Sequence, residues 1–438
     1  MLKTLMPALV LFAFLGGTAY GTLQGWPLPL LRETLWTMKA VLDGQQAGLE
    51  APTILRQAPF KGEGVVISEP ERMAPGLTMV QGMEGAGQVM RLVEADGTVV
   101  NAWKASFFDY WEEADHLEPP DLVPETAFSH ILQGFHARPD GSLIIVFSHL
   151  GAVLVDRCSN PIWRLDELVH HSVTPDGQGG YLFPGHTRVS ELDTDLLAHR
   201  DLTPLDHRIR THERDRIGNL IIRVDADGRV TNRVPVLQAF LDAGYTGVVA
   251  HGLYRHRLDP LHINDVEAVT PALAARLPGV SAGDFLVSLR NSGSVAIIDT
   301  EGRLRWHASG RWVSQHDLDI TADGQIEIFD NGYHQVPALR VFGSAVRRLN
   351  PSDGTTVKVT PVGDEPVFYT EFMGTHQALP NGNRLIADSL IGRILEVTPE
   401  DRIVWEYHLR WDERFGGLAT AAERYPPDFF DVEDWSCQ

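Results

Sequence analysis

Cysteine is almost absent from this 438-residue chain: there are two, Cys158 and Cys437, and no Cys-x-x-Cys. Structural zinc held by thiolates is therefore disfavoured, because such sites need clustered cysteines at short spacing. In an exported protein the two thiols can pair and tie the C-terminal tail to an earlier segment, two free thiols being the alternative. Basic charge is scarce too. Lys and Arg number 37 against 58 Asp and Glu, a formal net charge of -21. That balance argues against nucleic acid as a partner, since a phosphate backbone asks for a basic face. No phosphate-binding loop, dinucleotide fingerprint or Gly-x-Ser-x-Gly elbow is present, so nucleotide-dependent chemistry has no support. Helical periodicity is also rare beyond residue 60, with candidates only near 266–277 and at Leu418–Arg424.

Long apolar runs are missing except at the start. Lys3 precedes a stretch from Leu5 to Leu23 that is uncharged and mostly apolar, and Ala19-Tyr-Gly is a poor cleavage site. Its length lies between a signal-peptide core and a minimal spanning helix, and Trp26 sits where an interfacial aromatic belongs. The expectation is a single-pass anchor over residues 1–25, with a cleaved signal as the alternative. Either way the remainder is exported, which places it at the periplasmic side of the inner membrane. Residues 26–59 are expected to form a short amphipathic helix and a connector.

Turn residues, by contrast, abound: Gly 40 and Pro 27. Short strands alternate with Asp-Gly and Asn-Gly turns, and the pattern repeats. One half-unit is a histidine, a few residues, a turn and an apolar strand. It occurs at His136–Gly141, His171–Gly177, His316–Gly324 and His376–Gly382, with a looser copy opening at His262. The other half-unit is strand, Asp, turn, strand, often ending in Trp: Trp103, Trp163, Trp306 and Trp405. Four short strands in roughly 40–60 residues make the blade of a β-propeller. Counting the second half-units gives six blades. The fold expected is therefore all-β, a six-bladed β-propeller over residues 60–412 preceded by the N-terminal hydrophobic anchor helix, with 413–438 capping or closing the ring. A charged insertion, Glu191–Asn219, swells the third blade.

Equivalent positions on successive blades converge on the propeller axis. His136, His171, His262, His316 and His376 precede the first strand of their units, so they are expected to ring one end of the channel. A histidine in every blade can also be structural. Convergent imidazoles open three chemistries: a transition-metal site, general acid–base work, or a nucleophile for acyl, phosphoryl or sulfuryl groups.

The stretches Leu261-His262-Ile-Asn-Asp with Phe285–Arg290, Gln315-His316-Asp-Leu with Phe329-Asp-Asn-Gly332, and Gly374-Thr-His376-Gln with Asn381-Gly-Asn383 resemble the bacterial arylsulfotransferase family. That resemblance implies sulfuryl transfer from an aryl sulfate to a phenol, independent of the nucleotide sulfate donor, through a sulfohistidine. It implies no cofactor and no metal. By position His376 corresponds to the nucleophile, with His262 and His316 as partners that steady sulfate oxygens and handle the phenol proton. The family also uses an arginine shortly after Phe-Asp-Asn-Gly; here His334 occupies that place, or Arg340 reaches in. His171 and His136 complete the expected substrate-binding set. The competing reading is a non-catalytic propeller, a scaffold or ligand-binding subunit of a membrane complex with an unknown membrane-protein partner.

Overall fold

The computed structural model describes residues 54–85, 87–117, 123–126, 128–188, 216–255, 259–333 and 343–437. The expected anchor over 1–25, most of the 26–59 segment, and both His334 and Arg340 lie outside these residues. Among the described residues no helix is long and apolar enough to cross a membrane.

Residues Ile54–Gln438 form one compact unit made of six antiparallel sheets. Their inner strands are, in ring order, Leu418–Tyr425, Leu132–Ala137, Thr174–Pro175, Ile263–Ala268, His316–Ile320 and His376–Ala378. Each is followed outward by the successive strands of its blade, so the expected six-bladed propeller is observed. Six buried apolar clusters occupy the six blade-to-blade interfaces. Ile144, Phe183 and Ile222 join blades 2 and 3, for example, and Leu385, Trp405 and Ala419 join blades 6 and 1. A closed ring of such contacts leaves no inner face unpartnered.

The ring closes twice. Leu418–Tyr425 supplies the inner strand of blade 1 by pairing with Leu77–Glu84, while Gly64–Ser68 from the beginning of the unit adds an outermost strand to blade 6. The first blade unit thus starts at Leu77, later than the repeat pattern indicated. The sequence Leu-Ala-Thr-Ala-Ala-Glu-Arg has the composition of a helix, yet it is a strand, because pairing with blade 1 overrides a weak local preference. The candidate near 266–277 resolves into a strand end and the single turn Pro271–Ala274. The helices Val236–Asp242 and Thr246–Arg255 follow blade 3. The strand Arg216–Val224 begins inside the stretch read as insertion.

The recurring Trp has a structural reason. Its indole N–H donates to a turn carbonyl of the next blade: Trp103 to Asp156, Trp163 to Ala226, and Trp405 to Ala95, at 2.9–3.1 Å. Blade 3 lacks the Trp and uses the Asn232 amide to reach Thr300 instead. The tail beyond Tyr425 crosses to blade 2, where Asp431 N–H donates to Pro139 O and Cys437 is disulfide-bonded to Cys158, Cα–Cα 5.5 Å.

Candidate functional site

An inner strand of a propeller has no ladder partner on its channel edge, so its N–H groups need other acceptors. Here acidic side chains of the preceding blade provide them. Asp265 accepts from Leu318 N, Glu267 from Ile320 N, and Asp317 from His376 N. The consequence is an acidic channel. A cavity of about 320 Å³ is lined by Asp265, Glu267, Asp317, Asp319 and Glu423 together with His136, His171, His316 and His376. Burial pushes Asp265, Asp319 and Glu423 each up to about 7, and raises Glu267 well above the carboxylate range, with Asp319 adding to it.

The five predicted histidines do not share one level. His316 pairs with Phe329, the fourth residue of its neighbouring strand Ile326–Asp330. His376 pairs with Ile386, the third of Arg384–Asp388, and His136 with Ile144, the second of Leu143–Phe147. His262 precedes its strand altogether, as does His171. The three paired histidines thus differ in register by one or two residues, at ~3.3 Å per residue.

The rings of His171 and His262 lie 5.2 Å apart and those of His171 and His316 5.9 Å apart. His262 Nδ1 donates to Asp259 Oδ2 at 2.6 Å, and Asp259 Oδ1 also accepts from His262 N. The carboxylate fixes the tautomer and leaves the Nε2 lone pair outward, the arrangement that activates an imidazole as base or nucleophile. No hydrogen bond occupies that Nε2 among the described residues, and the side chain is 23% exposed.

His316 is placed differently. Its Nδ1 donates to Asn331 Oδ1 at 2.7 Å, the Asn331 orientation being set by its own donation to Thr370 O and Met373 O. Its Nε2 accepts from Met373 N. Burial, then the nearby Arg290 guanidinium, drives its pKa down to about 3. Both nitrogens are thus committed, and His316 reads as a neutral residue that positions the 370–376 loop.

His376, expected as the nucleophile, is enclosed by acids. Its Nδ1 is 2.6 Å from Asp317 Oδ2, and its Nε2 is 3.3 Å from Asp319 Oδ2 and 3.7 Å from Glu327 Oε2. Burial pulls its pKa down, but Asp319 and Asp317 outweigh that and raise it to about 10. Protonated in that way, His376 would carry no lone pair. His136, on the wall facing Tyr181, makes no ring contact with the other four and is held down to about 4 by burial and Arg138.

Arg290 ends the motif Phe285–Arg290. It follows the strand Phe285–Leu289, its N–H donates to His262 O, and its charge depresses both His171 and His316. It therefore supplies a permanent cation beside His171 and His316. Asp259, three residues before His262, and the Asp-x-Glu and Asp-x-Asp spacings at 265–267 and 317–319 were readable signals that the histidine pattern overshadowed. Three more histidines, His149, His170 and His186, adjoin His171, with ring centroids 4.4–4.8 Å apart.

Backbone strain marks the same place. Of the eight non-glycine residues with positive φ among the described residues, His149, His171, His262, Ser314, Asp317 and Met373 belong to this region. Such conformations cost about 1–3 kcal/mol each and gather where a fold fixes functional groups. Gly134 and Gly374 serve the same end by necessity. A Cβ on Gly134 would lie 2.1 Å from His171 O, and one on Gly374 2.5 Å from the Phe329 ring.

Several known proteins are similar in fold. A protein of unknown function from Bacteroides caccae is 14% identical with a TM-score of 0.44, covering 76% of this chain and 93% of its own. Virginiamycin B lyase from Staphylococcus aureus is 10% identical with a TM-score of 0.36, covering 69% and 85%. The WD40 propeller domain of Doa1 is 10% identical with a TM-score of 0.40, covering 84% and 94%. No curated protein sequence matches. The model of the arylsulfotransferase (ASST) family matches residues 137–410, a span that holds Asp259, His262, Arg290, His316 and His376, and the chain belongs to that family.

Proposed function

We propose that this propeller transfers a sulfuryl group from an aryl sulfate to a phenolic acceptor through a sulfohistidine carried on His262. The observation that carries the reading is the Asp259–His262 pair set beside His171 and Arg290. His262 Nε2 attacks sulfur, forming N–S as the S–O bond to the aryl group breaks. His171, uncharged, donates a hydrogen bond to the departing phenolate, which takes its proton from water. In the second half the acceptor attacks sulfur as its phenolate, its proton released to water, and the N–S bond breaks to restore His262. Negative charge spreads over the sulfuryl oxygens in both transfers, and Arg290 offsets it where water is scarce. His376 supports the acidic channel wall as a fixed cation.

The test is to mix the enzyme with a chromogenic aryl sulfate, quench, digest and locate the sulfo-histidine by mass spectrometry. A modified peptide containing His262 supports the assignment. Modification of the peptide containing His376 would restore the family-position reading, and no release of phenol from any of several donors overturns sulfuryl transfer altogether.

The same proposal includes export. The Cys158–Cys437 bond fits an oxidising compartment, and the apolar stretch Leu5 to Leu23 fits a tether to the inner membrane. A reporter-enzyme fusion that is active only outside the cytoplasm, fractionating with membranes, checks both.

A further inference from the structure

Outside the transfer site, three imidazoles from two blades meet at one point. His149 lies in the turn between the strands Leu143–Phe147 and Gly151–Val155 of blade 2. His170 lies in the connection to blade 3, its N–H donating to Pro184 O, and His186 is on the blade 3 strand Tyr181–Arg188. One ring nitrogen from each falls within 4.8 Å of the others. His186 Nε2 and His149 Nδ1 are already 2.6 Å apart. His170 is fully buried, and its Nε2 finds no hydrogen-bond partner among the described residues. An orphaned buried polar atom carries a desolvation cost that folds avoid unless something satisfies it.

We propose that His149, His170 and His186 bind a divalent transition-metal ion, with neutral imidazole as the ligand type that suits zinc or copper over magnesium or calcium. A tetrahedral ion with bonds of ~2.05 Å separates its ligand atoms by about 3.3 Å. The 2.6 Å pair opens toward that spacing by rotation of the side chains. The ion staples blade 2 to blade 3 and satisfies His170 Nε2.

A second consequence rests on the sulfuryl-transfer reading. His170 Nδ1 lies 2.6 Å from His171 Nδ1. With Nε2 on the ion, His170 keeps its proton on Nδ1 and donates it to His171, whose own proton is then on Nε2. Partners beyond the ligands set tautomers in this way in metal sites. The ion thereby positions His171 as a donor, although it touches no substrate.

The experiment uses the full chain, stripped with a chelator and reloaded with Zn2+ or Co2+ without any sulfate ester, so that failure of the catalytic reading cannot affect it. Elemental analysis after gel filtration is expected to find about one ion per chain, and the Co2+ form to show the visible bands of a four-coordinate site. His186→Gln and His149→Gln are each expected to weaken binding more than tenfold, while Asp319→Asn, at the acidic trio with Asp317 and His376, leaves it unchanged. X-ray absorption of the wild-type Zn2+ form needs no variant and is expected to show a shell of at least three imidazole nitrogens. No retained ion, an oxygen-dominated shell, undiminished binding in both His variants, or loss in Asp319→Asn would each overturn the site.

Discussion

Replacing His376 with Gln isolates the worth of a buried cation. The imidazolium lies between Asp317, Asp319 and Glu327, and Arg384 and Arg348 share Glu327 from the other side. A folded pKa of about 10 against 6.5 when unfolded corresponds to about 5 kcal/mol at ~1.4 kcal/mol per pKa unit. The acids relieve part of that by taking up protons once the cation is gone, and breaking a buried pair costs ~3–5 kcal/mol in general. A loss of about 3–5 kcal/mol near pH 6 is therefore expected. The sign of the pH dependence follows from the raised pKa. Stability from this group is complete below pH 6.5 and drains away as pH climbs to about 10. Denaturation midpoints of wild type and variant, measured from pH 5 to 10, should converge at the alkaline end. Parallel curves across that range, or a variant as stable as wild type at pH 6, would show that His376 is not the imidazolium the geometry describes.

Four further outcomes follow from the structure. Asp259→Asn leaves the position of His262 intact but removes the acceptor that sets its tautomer, so kcat should fall by roughly 10²–10⁴ with little change in KM, read from stopped phenol release. Arg290→Ala should lower kcat/KM by about 10²–10³ with partial recovery in Arg290→Lys, and equal rates in all three proteins would remove Arg290 from the anion site. Cys437→Ser frees the tail that follows the ring-closing strand, and should cost about 2–5 kcal/mol in thermal or denaturant unfolding under non-reducing conditions, with no effect once wild type is reduced. Gly134→Ala forces a Cβ to 2.1 Å from His171 O at a φ of +80°, and should destabilise by more than about 2 kcal/mol, detected as a lowered Tm together with slowed turnover.

The blades were legible because their repeat is local chemistry: turn, strand, Asp, turn, Trp. That signal survives in a single sequence since each blade solves the same packing problem, and the Trp indole reaching the next blade's turn is part of the solution. Register was less legible. Spacing from each histidine to its turn treated His136, His316 and His376 as equivalents, yet they pair with the second, fourth and third residues of their neighbouring strands. Bulges between His316 and Leu318 and between Ile263 and Asp265 shift the count by one residue, and such a shift cannot be read from spacing alone. Charge state was not legible at all. Asp317 and His376 are separated by 59 positions, and only the closed ring brings them to 2.6 Å.

That separation of charge explains how an acidic channel can belong to a protein that handles an anion. Asp265, Glu267, Asp319 and Glu423 crowd the interior, where burial raises the pKa of each. The histidine cluster differs. His171, His262 and His316 stand close together beside Arg290, the burial of His171 and His316 keeps those two rings uncharged, and the guanidinium reinforces that by repelling a second positive charge. In the proposed function a sulfate group is drawn to the Arg290 cation in this cluster. On the proposed reading the donor approaches with its sulfur at His262 and stops short of the carboxyl groups around His376. The two histidines differ although the sequence presents them in the same setting: His262 meets one carboxylate through Nδ1 and keeps Nε2 open, whereas His376 has carboxyl groups at both ring nitrogens.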